Sequence, residues 1–172
     1  MEFQELVKNR QSCRSFNKDK PIELKTLTEC IDIASLSPSA CNAQPYRVDL
    51  LIGDRFTEGV KFIQDAGMNK FAIEAQAMFV ISENRGTLIS TVTGKIIDTD
   101  FTQIDIGIFT AHLTLALKEK GVDSCIIGWI NKSKMQSFLG INKQVYLCIL
   151  AGYATDNYPL REKKRKDIFV CK

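Results

Sequence analysis

The sequence predicts a single layered domain of the α/β or α+β class, in which about four or five strands alternate with helices. Short apolar runs of strand character are separated along the chain by segments whose apolar residues recur at helical spacing. A chain of 172 residues suits one domain, residues 1–172, and neither an internal repeat nor a linker divides it. Its composition of 45% hydrophobic and 25% charged residues is ordinary for a soluble globular protein.

The first third of the chain predicts two helices followed by a strand. Apolar spacing predicts a short helix over residues 3–9 and a longer helix from Pro21 to Leu36. Val48, Leu50 and Ile52 alternate with other residues, which predicts a half-buried strand with these three side chains on its buried face.

The remaining elements follow in alternation. We predict helices over residues 55–66, 68–76, 100–120 and 132–139, and strands over residues 77–81, 122–130 and 144–153. The helix at 100–120 is apolar on nearly every side, which indicates burial either within the domain or against a second subunit. Residues 84–98 are weakly patterned, and we predict a lid or a small hairpin there.

A polar loop, residues 37–47, joins the second helix to the first strand. Its small and polar residues and its two prolines are unsuited to a helix or to the core. The sequence is Ser37-Pro38-Ser39-Ala40-Cys41-Asn42-Ala43-Gln44-Pro45-Tyr46-Arg47. Pro38 cannot extend the preceding helix, because the residue before a proline avoids the helical region. Such junctions present backbone N–H groups and short side chains to ligands, which favours a binding loop. The alternative is a tight linker with incidental serine and asparagine.

The arginine segment, residues 9–15, reads Asn9-Arg10-Gln11-Ser12-Cys13-Arg14-Ser15. In an extended chain alternate side chains point to one face, so we expect Arg10, Ser12 and Arg14 to converge. Guanidinium and hydroxyl groups suit a phosphate, which accepts charge-assisted hydrogen bonds from them. The pattern therefore indicates a phosphate site, with a solvated basic segment as the alternative.

The rest of the composition narrows the function classes. The 6 cysteines form no Cys-x-x-Cys pair, which argues against a zinc site or a disulfide framework. The one histidine, His112, argues against a histidine metal centre or a Ser-His triad, and we expect it to be packed or at an interface. The basic run at 161–166 is a solubilising tail, half of a phosphate clamp or, last in rank, a nucleic-acid patch, since the net charge is only +3 and no aromatics are interleaved.

No targeting or membrane segment is evident in the sequence. No apolar run approaches the roughly 18 residues of a membrane span, and the first residues lack the pattern of a signal peptide. We therefore expect a cytoplasmic protein with neither a membrane nor a nucleic acid as its partner.

Five motifs occur in order over nearly the whole chain. They are Arg10-x-Ser12-x-Arg14, the polar loop, Asp105-x-Gly107, Cys125-Ile126-Ile127-Gly128-Trp129, and Gly152-Tyr153-Ala154 with the basic run after it. Together they resemble the nitroreductase family of flavin mononucleotide (FMN) enzymes. The resemblance implies an α+β fold of three α/β/α layers, with a central, mostly antiparallel sheet flanked by helices, in a homodimer that holds FMN at its interface.

The resemblance also implies which residues bind the cofactor. The FMN phosphate and ribityl chain would be bound by Arg10, Ser12, Arg14, Lys163 and Arg165. The flavin ring would be contacted by Asn69, by backbone N–H groups of Ile127 and Gly128 near N5, and by Pro38, Ser39, Ala40 and Asn42 of the other subunit.

Two features depart from the family pattern. Ala72 stands where a lysine often follows the flavin-contacting asparagine by three positions, which puts one polar flavin contact in doubt. The chain is also short for the family, so that parts of the usual substrate lid are missing or reduced to residues 84–98.

The implied activity is that of an FMN-dependent oxidoreductase. FMN would take a hydride at N5 from NADH or NADPH and reduce a nitroaromatic, a quinone or a similar flat acceptor, with no catalytic side chain. Donor and acceptor would use one flavin face in turn, giving ping-pong kinetics. The alternatives are other flavin chemistry such as dehalogenation, azoline oxidation or flavin cleavage, a flavin-binding redox sensor, and an interaction protein without flavin.

Overall fold

Four antiparallel strands form one sheet in the computed structural model, in the order β1-β2-β4-β3. The structure describes residues 1–84, 94, 96, 98–155 and 158–161. The strands are β1 Tyr46–Ile52, β2 Ala77–Glu83, β3 Asp123–Ile127 and β4 Val145–Gly152. The predicted α+β class with an antiparallel sheet is confirmed, and the last two residues of the polar loop belong to β1.

Helices cover both faces of this sheet. They are α1 Phe3–Asn9, α2 Leu24–Ser35, α3 Gly53–Gly59, α4 Phe101–Glu119 and α5 Lys132–Leu139. Short 3₁₀ turns add Ala40–Asn42, Val60–Phe62, Asp65–Gly67 and Lys70–Glu74. None of the helices in the described part of the chain is both long and apolar enough to cross a membrane.

The buried strand β2 shows how the layers are arranged. Met78 and Val80 belong to a core with α3 and α5, whereas Phe79 and Ile81 belong to a second core with α2 and α4. Successive side chains of a strand point to opposite faces, so a strand with both faces covered is apolar throughout. This arrangement confirms the predicted three layers.

Two local predictions were wrong. The predicted helix at 55–66 is α-helical only to Gly59 and continues as the 3₁₀ turn Val60–Phe62. It cannot extend to Ala66, because Ala66 and Gly67 adopt left-handed backbone angles, φ 57° and 75°, that no α-helix contains. In β1, Leu51 is buried against α3 and only 3% exposed, whereas Ile52 at the strand end is 40% exposed. The helices of the other layer cover Val48 and Leu50 but do not extend over Ile52.

The long helix α4 lies at its predicted place and is only partly covered within one chain. Phe109 and Leu113 are fully buried against the sheet and α2. Ile104, by contrast, is 50% exposed, and Ala111 and His112 also face outward. This strip of α4 is mostly apolar surface that the described chain leaves uncovered, so the expectation that a second subunit covers it stays open.

Candidate functional site

The arginine segment lies extended along β3, at one edge of the sheet. Ser12 forms an isolated parallel bridge with Ser124, and the Cys13 N–H donates to the Ser124 carbonyl at 2.8 Å. Gln11 is 7% exposed and Cys13 is 0% exposed, so these two alternate residues point inward. Arg10, just before Gln11, and Arg14, just after Cys13, are less buried than these two residues.

Charges near Cys125 of β3 show that the arginines share one region. Burial raises the pKa of the Cys125 thiol, while Arg14, a hydrogen bond from Ser12, Arg161 and Arg10 each act to lower it. Three guanidinium groups therefore act on one buried sulfur. No carboxylate among the described residues forms an ion pair with any of the three. Unneutralised guanidinium groups gathered along one edge fit a phosphate group.

Arg161 was absent from the residues that the sequence predicted for the site. It joins the arginines because the chain from Tyr158 to Arg161 returns to the arginine segment, where the Tyr158 hydroxyl donates to the Ser12 carbonyl. Its only sequence signal was membership of the basic run. Lys163 and Arg165, which were predicted for the site, lie outside the described residues, as does most of the predicted lid.

The chain after β3 forms an open surface beside this edge. Ile127 is 4% exposed, while Gly128 is exposed, and a Cβ built on Gly128 would meet no atom within 4 Å. Trp129 is 53% exposed, yet its indole N–H donates to the Asp65 carbonyl at 3.0 Å, which fixes the ring. The backbone at Gly128 is therefore accessible to a flat ligand.

Asn69 lies in a turn just before the 3₁₀ turn Lys70–Glu74. Its backbone is left-handed, φ 49°, and its Nδ2 donates to the Ile63 carbonyl at 2.9 Å. An asparagine tolerates this conformation better than most residues. Ala72, where the family pattern often has a lysine, is fully buried in the core, so this position offers no space for a charged side chain.

The polar loop is held to α4 by a buried carboxylate. The Ala40 N–H donates to both oxygens of Asp105, at 3.1 and 3.2 Å, and Asp105 is 2% exposed. Within the loop, the Ser39 hydroxyl accepts from the Gln44 N–H at 3.0 Å. Cys41, Asn42 and Gln44 all have left-handed backbone angles, between 45° and 53°.

Asp105 is a residue whose contribution to the loop the sequence did not reveal. Its only signals were the Asp105-x-Gly107 motif and the presence of a carboxylate within an otherwise apolar helix. Its partner Ala40 is 65 residues away along the chain.

One chain does not bring all the predicted site residues together. The arginine segment lies along β3, and the polar loop leads into β1, which is at the opposite edge of the sheet. Three strand spacings of roughly 4.8 Å separate the two edge strands. Within one chain, the arginine segment and the polar loop therefore lie at opposite edges of the sheet.

Comparisons with known proteins agree with this architecture. A model described as the nitroreductase family matches residues 7–153. The "Putative NAD(P)H nitroreductase YodC" of Bacillus subtilis (strain 168) is 23% identical over 187 residues, which cover 94% of this chain and 93% of that protein.

Solved structures show the same fold. A nitroreductase family protein from Clostridium novyi NT superposes with a TM-score of 0.79 at 24% identity, covering 94% of this chain and 89% of that one. A "putative nitroreductase in complex with FMN" from Exiguobacterium sibiricum gives 0.79 at 20% identity, covering 100% and 98%.

Proposed function

Because this chain belongs to the nitroreductase family, we propose that it binds FMN and passes electrons from NADH or NADPH to a flat acceptor such as a nitroaromatic or a quinone. The protein is an FMN-dependent NAD(P)H oxidoreductase. The observation that carries this proposal is the group of three arginines along β3, Arg10, Arg14 and Arg161, with no described carboxylate to neutralise them. An anionic cofactor supplies the missing negative charge.

The chain's own residues bind and orient the cofactor. Arg10, Ser12 and Arg14 hold the phosphate, together with Lys163 and Arg165 from the basic run. Asn69 and the backbone N–H groups of Ile127 and Gly128 contact the ring, and the open space at Gly128 allows a close approach. When bound, FMN supplies the redox chemistry by accepting a hydride from the nicotinamide and delivering reducing equivalents to the acceptor.

The same proposal includes a homodimer. Pro38, Ser39, Ala40 and Asn42 lie at the far edge of the sheet from the arginines, so they contact the cofactor of a second subunit. The apolar surface at Ile104 of α4, 50% exposed, and at Leu36 after α2, 84% exposed, supports this arrangement, because contact with a second chain would bury it.

Absorption spectroscopy of the purified protein tests the activity. We expect a yellow protein with the flavin spectrum, bleached by NADH or NADPH without oxygen and restored by a quinone or nitroaromatic acceptor. Steady-state rates at several donor concentrations should give parallel double-reciprocal lines, as alternating use of one site requires. A colourless protein that takes up no FMN, or bound flavin that neither nicotinamide reduces, contradicts the proposal.

Replacement of Arg14 tests the phosphate site. We expect Arg14→Ala to weaken FMN binding by about 1.5–3 kcal/mol, the usual effect of losing one charged hydrogen-bonding partner. Lys18→Ala removes an exposed positive charge at a nearby position in the sequence and serves as the control. Equal FMN affinity in both variants, measured by flavin fluorescence, would show that the arginine segment is wrongly assigned.

Light scattering tests the dimer. We expect the wild-type protein to have the mass of two chains, and Ile104→Lys to shift it toward one chain with weaker FMN binding. Ile52→Lys, at a similarly exposed isoleucine at the end of β1, should leave the mass unchanged. A monomer that binds FMN as tightly as a dimer would contradict the shared site.

A further inference from the structure

Thr155 and the chain from Tyr158 to Arg161 meet the arginine segment in antiparallel order and are bonded to it at three levels. The hydroxyls of Ser15 and Thr155 lie 3.0 Å apart, and the Thr155 N–H donates to the Ser15 carbonyl at 3.1 Å. The Tyr158 hydroxyl donates to the Ser12 carbonyl. The third level, nearest to Arg161, consists of contacts made by the side chain of Gln11.

Gln11 binds this returning chain through both ends of its side-chain amide. Its Nε2 donates to the Pro159 carbonyl at 3.0 Å, and its Oε1 accepts from the Arg161 N–H at 2.9 Å. In an extended chain, the carbonyl of one residue and the N–H two positions later point to the same side. The glutamine amide therefore makes the two hydrogen bonds that a neighbouring strand would otherwise make to this chain. These bonds fix the backbone of Arg161.

Two further observations connect this contact with the charges of the site. Gln11 is 7% exposed and lies between Arg10 and Ser12 in the sequence, so its position is as fixed as that of the core. The charge of Arg161 acts on Cys125 together with those of Arg10 and Arg14. In the sequence, Arg161 is the first residue of the basic run.

We propose that Gln11 is a positioning residue for the cofactor phosphate: its side-chain amide fixes the backbone of Arg161 and so aligns this residue with Arg10 and Arg14. Gln11 itself does not touch the cofactor. The inference rests on the proposed binding of FMN, and it assigns a residue that the sequence motif Arg-x-Ser-x-Arg leaves unspecified.

A comparison of FMN with riboflavin tests this role, because riboflavin has the same ring and ribityl chain without the phosphate. Gln11→Met keeps the size of the side chain and removes both hydrogen bonds. We expect it to weaken FMN binding roughly tenfold, the effect of about two neutral hydrogen bonds, and to change riboflavin binding less than about twofold. Gln4→Met, at an exposed glutamine of α1, is the matched control and should change neither.

Tyr158→Phe provides a second variant should Gln11→Met fold poorly. It removes the hydrogen bond to the Ser12 carbonyl and leaves the ring in place, and we expect a smaller loss that again affects FMN and not riboflavin. In a cycle with Arg161→Ala, the losses from Gln11→Met and Arg161→Ala should not add, since the first variant acts through the second residue.

The outcomes separate this inference from the proposed function. A wild-type protein that binds neither flavin overturns the proposed function and this role with it. A wild-type protein that binds FMN, with Gln11→Met weakening FMN and riboflavin equally, overturns the inference alone, because Gln11 would then be merely structural. Fully additive losses in the cycle with Arg161→Ala would overturn it as well.

Discussion

The arginine segment and the polar loop are both irregular, both carry predicted cofactor residues, and are held in place by different means. The arginine segment is bonded to β3, and its inward residues Gln11 and Cys13 are buried, as is Phe16 just after it. In the polar loop up to Pro45, most side chains are exposed or half-buried, and Ala40 is fixed through Asp105 of α4.

One chain by itself fixes the arginine segment firmly, whereas it fixes the polar loop less completely. Side chains buried in a core set the direction of the arginines, because close-packed neighbours leave little freedom of movement. The polar loop instead contains three left-handed residues, which cost free energy and persist only where their surroundings fix them. We therefore expect the arginine segment to be ordered in a single chain, and the polar loop to gain order in the proposed dimer with its cofactor.

The largest expected effect comes from Phe16. Its ring is 2% exposed and lies against the backbone of Gly152, where an added Cβ would come within 2.6 Å of it. We expect Phe16→Ala to lower the free energy of unfolding by about 3–5 kcal/mol, through the lost burial and the cavity left behind. Chemical denaturation measures this change, and amide exchange at the Cys13 N–H should become faster.

Phe3→Ala is the matched control for that prediction. Phe3 is 69% exposed on α1, so its removal should change the free energy of unfolding by less than about 0.5 kcal/mol. Equal effects of the two variants would mean that the core does not hold the arginine segment.

Asp105 should have the next largest effect, and it should act on the other region. Asp105→Ala leaves the Ala40 N–H without its charged partner, so we expect a loss of about 1.5–3 kcal/mol in the free energy of unfolding. Amide exchange should become faster at Ala40 and stay unchanged at Cys13. Asp32→Ala, at an exposed carboxylate of α2, is the control and should change neither.

The sequence predicted most elements because their signals are local. α5 begins and ends at its predicted residues, since Asn131 caps it with its side chain and Gly140 ends it in a left-handed conformation, φ 66°. The predicted helix at 55–66 was too long, because the sequence gives no sign of the change to a 3₁₀ turn after Gly59 or of the left-handed backbone of Ala66.

The features of the candidate site likewise differ in whether a local sequence pattern predicts them. Alternation along the chain predicted that Arg10, Ser12 and Arg14 share a face, which needs only an extended backbone. The contacts from Asp105 to Ala40 and from Gln11 to Arg161 join residues 65 and 150 positions apart. Such pairs form only when the sheet and helices are in place, so no local sequence pattern predicts them.

A smaller effect is expected from relief of strain in the polar loop. Cys41 has φ 53°, a conformation that costs a non-glycine residue about 1–2 kcal/mol, while glycine adds flexibility worth roughly 0.5–1 kcal/mol to the unfolded chain. We expect Cys41→Gly to raise the free energy of unfolding by about 0.5–1 kcal/mol, the difference of these effects. Asn42→Gly should gain less, since asparagine tolerates this conformation. A loss of stability in both would contradict the backbone described for this loop.

The reactivity of two thiols compares the two regions without a large change in stability. Cys13 lies in the arginine segment and Cys41 lies in the polar loop. Cys41 is exposed, whereas Cys13 is buried. In a Cys171→Ser background at pH 8, a thiol reagent should therefore label Cys41 in the native protein and leave Cys13 intact until the chain unfolds. Labelling of Cys13 in the folded protein would show that the arginine segment opens as readily as the polar loop.

Alkaline pH should then weaken the region that the buried thiol helps to hold. Burial raises the pKa of Cys13 from 9.0 to about 11, so the folded chain keeps a proton that the unfolded chain loses first. The contribution of this thiol to stability is complete below pH 9 and is lost as the pH rises from 9 to about 11. We expect the free energy of unfolding to fall across that range, and to fall less steeply in Cys13→Ala. An unchanged slope in this variant would mean that Cys13 is accessible to water in the folded chain.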